Sequence, residues 1–436
     1  MARLHAALFG ALAACAVPAQ AQPAPDIVIL PAPATAWRTV VGHWESQVEL
    51  TGDSVVAPAP TAEYARASSV GASALTADGK RQAVLLDWKD LWQATLRIES
   101  REPLDLRPYL GGTLEFDIDV ADLAKGGVRA KLSCGDGCER GVNLIDAARG
   151  WAGKGWQHVA LPMSCFAREG ADFSQVRLPF AIDATGTGRV SIANVRITRT
   201  ARAGLACPDY RTESVTPAML NESWAVDWWL PRHEQKLQEK ARLIAAGTPP
   251  EVVFIGDSIT QGWEKDGSEV WQRHYAPLHA LALGFGGDRT ENALWRLQHS
   301  EVDGIAPRVA VLMIGTNNTG HRGENPATTA AGIKRLLDEI RQRLPKTKVL
   351  LLAIFPRGEK PDDGQRGLNE RVNRLIEGYA DGRNVHFLNI NAALLNADGT
   401  LSKDVMPDLL HPNAKGYDIW QRTMAPTLDK LLADHP

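Results

Sequence analysis

The sequence predicts an α/β chain in two parts, an antiparallel β-sandwich followed by a three-layer domain built on a parallel sheet. Two observations carry this. Residues 36–200 hold short β-prone runs separated by Gly-, Asp- and Pro-rich turns, with few helical patterns. From residue 223 onward, apolar runs alternate with helical stretches, the arrangement of parallel strands covered by helices on both faces.

In chain order, residues 1–21 read as an export signal. Arg3 supplies a positive start, residues 4–17 are mostly apolar but too short to span a bilayer, and Ala19-Gln20-Ala21 is a small-x-small cleavage pattern. The mature chain is expected to begin near Gln22. A competing pattern, Leu12-Ala13-Ala14-Cys15, is similar to a bacterial lipoprotein signal in which Cys15 would be lipidated. Residues 22–35, rich in Pro and Ala, are expected to be an extended leader. No later apolar run approaches membrane-spanning length.

Within 36–200, Ala83-Val84-Leu85-Leu86-Asp87-Trp88 and Ala94-Thr95-Leu96-Arg97-Ile98 read as short strands. Residues 113–120 alternate strictly, which places Leu114, Phe116, Ile118 and Val120 on one buried face. Residues 158–161 and 190–197 continue the series. Residues 201–222 read as a linker. In the second domain, 223–436, runs at 252–255, 309–314, 349–354 and 385–388 are expected as buried parallel strands, with 280–283 as a further one. Helices are expected over 327–344, over 368–379 and from about Asn413.

The chain has 436 residues, 44% hydrophobic and 23% charged, enough for two domains of ordinary soluble composition. A net charge of -3 argues against a nucleic-acid binder. Beyond the signal lie Cys134, Cys138, Cys165 and Cys207, an even count that suggests disulfides in an exported chain. Three pairings are open. Cys134 with Cys138 would close a tight glycine-rich loop, and Cys165 with Cys207 would staple a domain end. No second pair complements Cys134 and Cys138 in zinc-site spacing. The sequence carries no signal for an oligomeric state.

Four blocks of the second domain carry the chemistry. Gly256-Asp257-Ser258-Ile259 follows an apolar strand, where backbone N–H groups at a strand-to-helix turn meet negative charge. Gly284-Phe285-Gly286-Gly287-Asp288 follows the next strand, and its glycines let a backbone N–H approach a substrate closely. There Asp288 and Glu291 fit a capping box for the following helix. Gly315-Thr316-Asn317-Asn318 offers a side-chain amide donor at a third strand end. Asp408-Leu409-Leu410-His411 supplies a histidine to take a serine proton and a carboxylate to fix its tautomer. Read singly, each is an ordinary turn; their order and shared position at strand ends make them one constellation.

These four ordered blocks resemble the SGNH (GDSL) hydrolase superfamily, with Ser258, Gly287, Asn317 and His411 at the name-giving positions and Asp408 as triad acid. Residues 254–259, Trp271, 277–280, 284–288, 294–297, 315–318 and Pro356-Arg357-Gly358 are similar to the platelet-activating-factor acetylhydrolase catalytic-subunit branch. The resemblance spans about residues 224–436. It implies a flavodoxin-like fold and ester hydrolysis without metal or organic cofactor. Ser258 would be the nucleophile, His411 the base, and Ser258, Gly287 and Asn317 the oxyanion hole.

The first part resembles the galactose-binding-like (jelly-roll) module of bacterial family-three glycoside hydrolases, on Cys134 and Cys138, Leu161-Pro162-Met163-Ser164-Cys165-Phe166, Gly170-Ala171-Asp172 and Cys207-Pro208. That likeness favours the Cys134–Cys138 and Cys165–Cys207 pairing. Trp88, Trp92, Trp151 and Trp156 are candidate sugar-stacking residues, with core burial the more usual fate. Together the two resemblances imply an esterase acting on short acyl groups, most simply acetyl, carried by carbohydrate, and the N-terminal signal implies its export. The alternatives are a lipid esterase, lysophospholipase or thioesterase, and a carbohydrate-binding protein with an inactive hydrolase-like domain. Asp257 is expected to shape its loop, Trp228, Trp229 and His233 to pack at the domain entrance, and Trp263 and Arg289 to lie near the cleft mouth.

Overall fold

The computed structural model describes residues 25–434 except 32–33, 62–64, 135–138, 168–171, 203, 206 and 208–212. The expected signal at 1–21 lies outside the described residues, as does Cys15. Ile27–Val28 pairs antiparallel with Arg196 and Ile197, and Ile29 is buried, because these apolar residues find an open strand edge.

Among the described residues, eleven antiparallel strands form the first domain. Two long strands, Arg81–Ser100 and Leu178–Thr198, pair along most of their length with register shifts around Gly186 and Gly188. Before the shift Leu178–Thr198 also pairs with Val128–Ser133, and after it with Thr113–Lys125. Each long strand therefore serves two sets of neighbours, with the bulge supplying the bend. This is why the runs at 83–88 and 94–98 are halves of one strand: the residues between them, with Asp90 at φ 50°, lie opposite the irregularity. Leu114, Phe116, Ile118 and Val120 are fully buried in one core, as their alternation dictates. On the opposite face Glu115 is also fully buried, and Arg196 (2.5 Å) and Arg202 (3.0 Å) neutralise it. Cys165 and Cys207 form a disulfide. Cys134 is disulfide-bonded as well, while Cys138 lies outside the described residues.

The second domain is a five-stranded parallel sheet. Numbered along the chain as Val252–Gly256, Leu281–Gly284, Val309–Met313, Lys348–Leu352 and Val385–Leu388, its strands lie in the order 2-1-3-4-5. Val252 and Phe254 face one apolar cluster, Val253 and Ile255 the other, so helices cover both faces. The helix expected over 327–344 is Pro326–Arg343. The one expected over 368–379 begins earlier, at Gly364, because the Asp363 carboxylate caps the N–H groups of Gln365 and Arg366 (3.0 Å each). Ala414–Ala433 closes the chain.

The expected linker does not hang free at its far end. Ser214 and Leu220 are buried, and Glu213 pairs with Arg322 at 2.5 Å. Where the chain enters the second domain, Asp227 accepts hydrogen bonds from the Gly126 N–H (2.7 Å) and the Arg149 guanidinium (2.6 Å), joining it to the sandwich.

Candidate active site

Strand order places the site. The first strand has its sequence neighbours on opposite sides, so a crevice opens beyond the carboxyl ends of strands one to three. Ser258, Gly287 and Asn317 follow those three strands in turn.

Ser258 sits just beyond Gly256, where a Cβ would come within 2.4 Å of the Met313 carbonyl oxygen; only glycine lets the first and third strands close there. The buried Asp257 carboxylate accepts from the Ile259 N–H (3.0 Å) and shapes the turn, as expected. Burial pushes its carboxyl up to about 6, against the pull of that N–H and of His411.

His411 Nε2 lies 2.8 Å from Ser258 Oγ, and His411 Nδ1 lies 2.6 Å from Asp408 Oδ2. Asp408 Oδ1 also accepts from the backbone N–H groups of Leu410 (3.0 Å) and His411 (2.7 Å). Leu409, at φ 61°, curls the loop between the two. Burial would raise the Asp408 carboxyl, but the hydrogen bonds from His411 outweigh it and hold it below its ordinary range. An ionised Asp408 beside Nδ1 favours the proton there, leaving Nε2 to accept from the Ser258 hydroxyl.

Gly287 has φ 78°, and a Cβ there would lie 2.0 Å from the Trp224 ring. Glycine is thus required twice, by its backbone and by its neighbour. Asn317 is buried and its Nδ2 donates to the Asp288 carbonyl at 3.0 Å, leaving one amide hydrogen for a further acceptor. That bond ties the Asn317 amide to the turn carrying Gly287.

The expected capping box is not formed by Asp288 and Glu291. The helix Thr290–Gln298 starts one residue later, with Asn292 Oδ1 accepting from the Arg289 N–H (2.9 Å). Asp288 is instead fully buried and accepts from Trp229 Nε1 (2.6 Å) and Arg296 Nε (2.8 Å). Burial pushes its carboxyl up to about 7, with Arg296 and the Trp229 N–H opposing. Arg296 also pairs with buried Glu301 and reaches the Gly256 carbonyl (3.3 Å), so one ionic cluster braces the turns before Ser258 and after Gly287. Trp229 and His233 pack with Phe285 and Trp295 beneath it.

Trp263 is not at the cleft mouth. It is 1% exposed and packs against Phe254, Tyr417 and Trp420, since an indole of that size is best accommodated in the core. Arg289 lines a cleft but is held by Glu222 (3.0 Å) and Glu291 (2.9 Å). Trp88 is buried and donates to the Thr185 carbonyl (3.0 Å), Trp151 and Trp156 are half-buried, and Trp92 is half exposed. Trp224, over Gly287, was not singled out from the sequence; its i,i+4 spacing to Trp228 was the available signal. Among the described residues no group of three His, Cys, Asp or Glu side chains is placed to hold a metal ion, and no helix is long and apolar enough to cross a membrane.

Residues 254–419 match the GDSL-like Lipase/Acylhydrolase family, and residues 44–197 match the galactose-binding domain-like family. The platelet-activating factor acetylhydrolase IB subunit alpha1 of Pongo abelii is 40% identical over 185 residues, 42% of this chain and 78% of the relative. The alpha2 subunit of Rattus norvegicus is 34% identical over 211 residues, 48% of this chain and 87% of the relative. Among solved structures, the exo-1,3/1,4-beta-glucanase of a Pseudoalteromonas species is similar at 16% identity and TM-score 0.34, over 45% of this chain and 24% of that one. The chain belongs to the GDSL-like (SGNH) lipase/acylhydrolase family, an ester hydrolase whose catalytic domain follows a galactose-binding-like domain.

Proposed function

We propose that the protein is an exported serine esterase that removes short acyl groups, acetyl foremost, from carbohydrate. The single observation that carries the reading is the unbroken line Asp408–His411–Ser258, with contacts of 2.6 and 2.8 Å, beside the tied pair Gly287 and Asn317. Ser258 Oγ attacks the ester carbonyl carbon and its proton passes to His411 Nε2. The oxyanion accepts hydrogen bonds from the N–H groups of Ser258 and Gly287 and from Asn317 Nδ2. Collapse breaks the bond to the alkoxy oxygen, which takes the proton from Nε2 and leaves as the alcohol. Water then attacks the acyl-serine, gives its proton to His411, and releases the carboxylic acid as Ser258 Oγ recovers its hydrogen. Asp408 stays ionised and steadies the imidazolium.

The acetyl preference draws on the relatives named acetylhydrolases, and the carbohydrate on the galactose-binding-like first domain. Export draws on the Ala19-Gln20-Ala21 pattern and on the Cys165–Cys207 disulfide, a bond of oxidising compartments. Acetate release from a panel of acetylated plant and microbial glycans, run beside aryl esters of increasing acyl length, tests the substrate. Release from a glycan with a preference for acetyl supports the reading. A rate that climbs with chain length and no release from any glycan would turn it to a lipid esterase or thioesterase. Mass analysis of the mature N-terminus separates cleavage before Gln22 from lipidation at Cys15.

A further inference from the structure

A cleft of about 600 Å³ lies between the two domains, a size typical of small-molecule sites. Its walls come from both: Trp92, Arg129 and Asp183 from the sandwich, Met219 and Trp224 from the segment entering the second domain, and His321 from the helix Thr316–Arg322 that carries Asn317. Three of the chain's large exposed apolar side chains, Trp92 (50%), Met219 (49%) and Trp224 (37%), all face it. The Trp92 ring is backed by Trp44 at 4.8 Å, so it is held as a platform and not left to swing. Trp224 is backed by Trp228, whose Nε1 donates to the Trp224 carbonyl (2.9 Å). The far edge of the Trp224 ring rests on Gly287, so the cleft ends beside the oxyanion-hole glycine.

The charges of this cleft are largely paired. Four arginines meet four acidic side chains, with Arg129 on Asp183 (2.9 Å), Arg289 on Glu222 (3.0 Å) and Arg322 on Glu213 (2.5 Å). Burial would raise Asp183, but Lys131 and Arg129 keep it ionised. With its lining charges engaged in ion pairs, such a wall gives a phosphate or a uronate little unpaired charge to bind. It does present fixed donors and acceptors beside flat aromatic faces, which is what a neutral polyhydroxylated ring with one apolar face requires.

We infer that the cleft is a glycan subsite in which Trp92 and Trp224 stack on sugar rings of a neutral oligosaccharide and the Arg129–Asp183 pair meets its hydroxyls, so that the sandwich holds the chain whose acyl group lies at Ser258. The inference rests on the carbohydrate reading above and names how the substrate is gripped. It makes Trp92 a substrate-positioning residue on a different domain from Ser258.

The test uses the full chain. For wild type, Trp92→Ala and Trp92→Phe, kcat/KM is measured on 4-nitrophenyl acetate and on acetylated xylo-, manno- and mixed-linkage gluco-oligosaccharides of two to six units. In parallel, binding of the deacetylated hexasaccharides is titrated calorimetrically into Ser258→Ala and into Ser258→Ala with Trp92→Ala. The ratio of hexasaccharide to aryl acetate kcat/KM is expected to fall at least about tenfold in Trp92→Ala, through KM, and to recover largely in Trp92→Phe. Binding is expected to weaken by a similar factor. A wild type that deacetylates these sugars with a ratio unmoved by Trp92→Ala overturns the inference and leaves the carbohydrate reading standing. A wild type that neither deacetylates nor binds any of them overturns both.

Discussion

Replacing Asn317 by alanine separates two contributions that the structure joins in one side chain. One Nδ2 hydrogen is spent on the Asp288 carbonyl at 3.0 Å, and the other is assigned to the oxyanion. Loss of the first leaves a buried carbonyl acceptor one partner short, which costs about 1–3 kcal/mol of folding stability. Loss of the second removes a donor that strengthens only as charge develops, which costs about 2.7–4 kcal/mol in the barrier, or about 10²–10³ in kcat. Because the donor acts on the transition state, KM should change little. The assay is steady-state hydrolysis of 4-nitrophenyl acetate alongside urea denaturation of the same preparations. Asn317→Asp, similar in shape but with a carboxylate in place of the amide donor, should lose at least as much kcat as the alanine variant, because its charge repels the developing oxyanion. If either variant keeps more than a third of wild-type kcat, or loses activity only through KM, Asn317 is no oxyanion donor.

Other perturbations have equally definite outcomes. Asp288→Asn should destabilise the fold by about 1–3 kcal/mol in denaturant titration, because the asparagine amide group must face either Trp229 Nε1–H or Arg296 Nε–H and leaves that buried donor without its acceptor, while Glu301 still neutralises Arg296; no measurable loss would refute that bracing role. His233 is buried, with Nε2 donating to the His299 carbonyl (3.0 Å) and Nδ1 without a partner, and burial lowers its pKa from 6.5 to about 4. Only the unfolded chain takes up that proton between those values, so stability should fall as pH drops from about 6.5 toward 4, by at most about 3 kcal/mol, and His233→Gln should remove this residue's share of the slope. His321, likewise lowered to about 4 chiefly by desolvation, would retain its own share. The Cys165–Cys207 bond spans 42 residues, and Cys165→Ala with Cys207→Ala should cost about 2–4 kcal/mol in thermal and urea unfolding of the full chain.

The parts of this molecule that were legible from sequence are those where local pattern and tertiary role agree. The alternation of residues 113–120 faces Leu114, Phe116, Ile118 and Val120 into the core, and the apolar runs at 252–255 and 385–388 are parallel strands because both their faces are covered. Ser258, Gly287, Asn317, Asp408 and His411 were legible because each stands in a short block whose position at a strand end or loop can be read from its neighbours. What escaped is polar burial. Asp288, Arg296, Glu301, Glu213 and Arg322 look like surface or capping residues in one dimension. They are buried because charges far apart in sequence neutralise each other, and spacing carries no trace of that. The same holds for Trp263 and Trp92: one indole is core and the other is half exposed on a cleft wall, a difference set by which domain surface each happens to face.

The central claim is that Ser258 is an activated nucleophile in line with His411 and Asp408. It is tested most directly by reacting the full chain with a fluorophosphonate and locating the adduct by peptide mass analysis. The account predicts one adduct, on Ser258, absent in Ser258→Ala and slowed at least about a hundredfold in His411→Ala. An unlabelled wild type that still hydrolyses aryl acetate, or an adduct on any other residue, would contradict it.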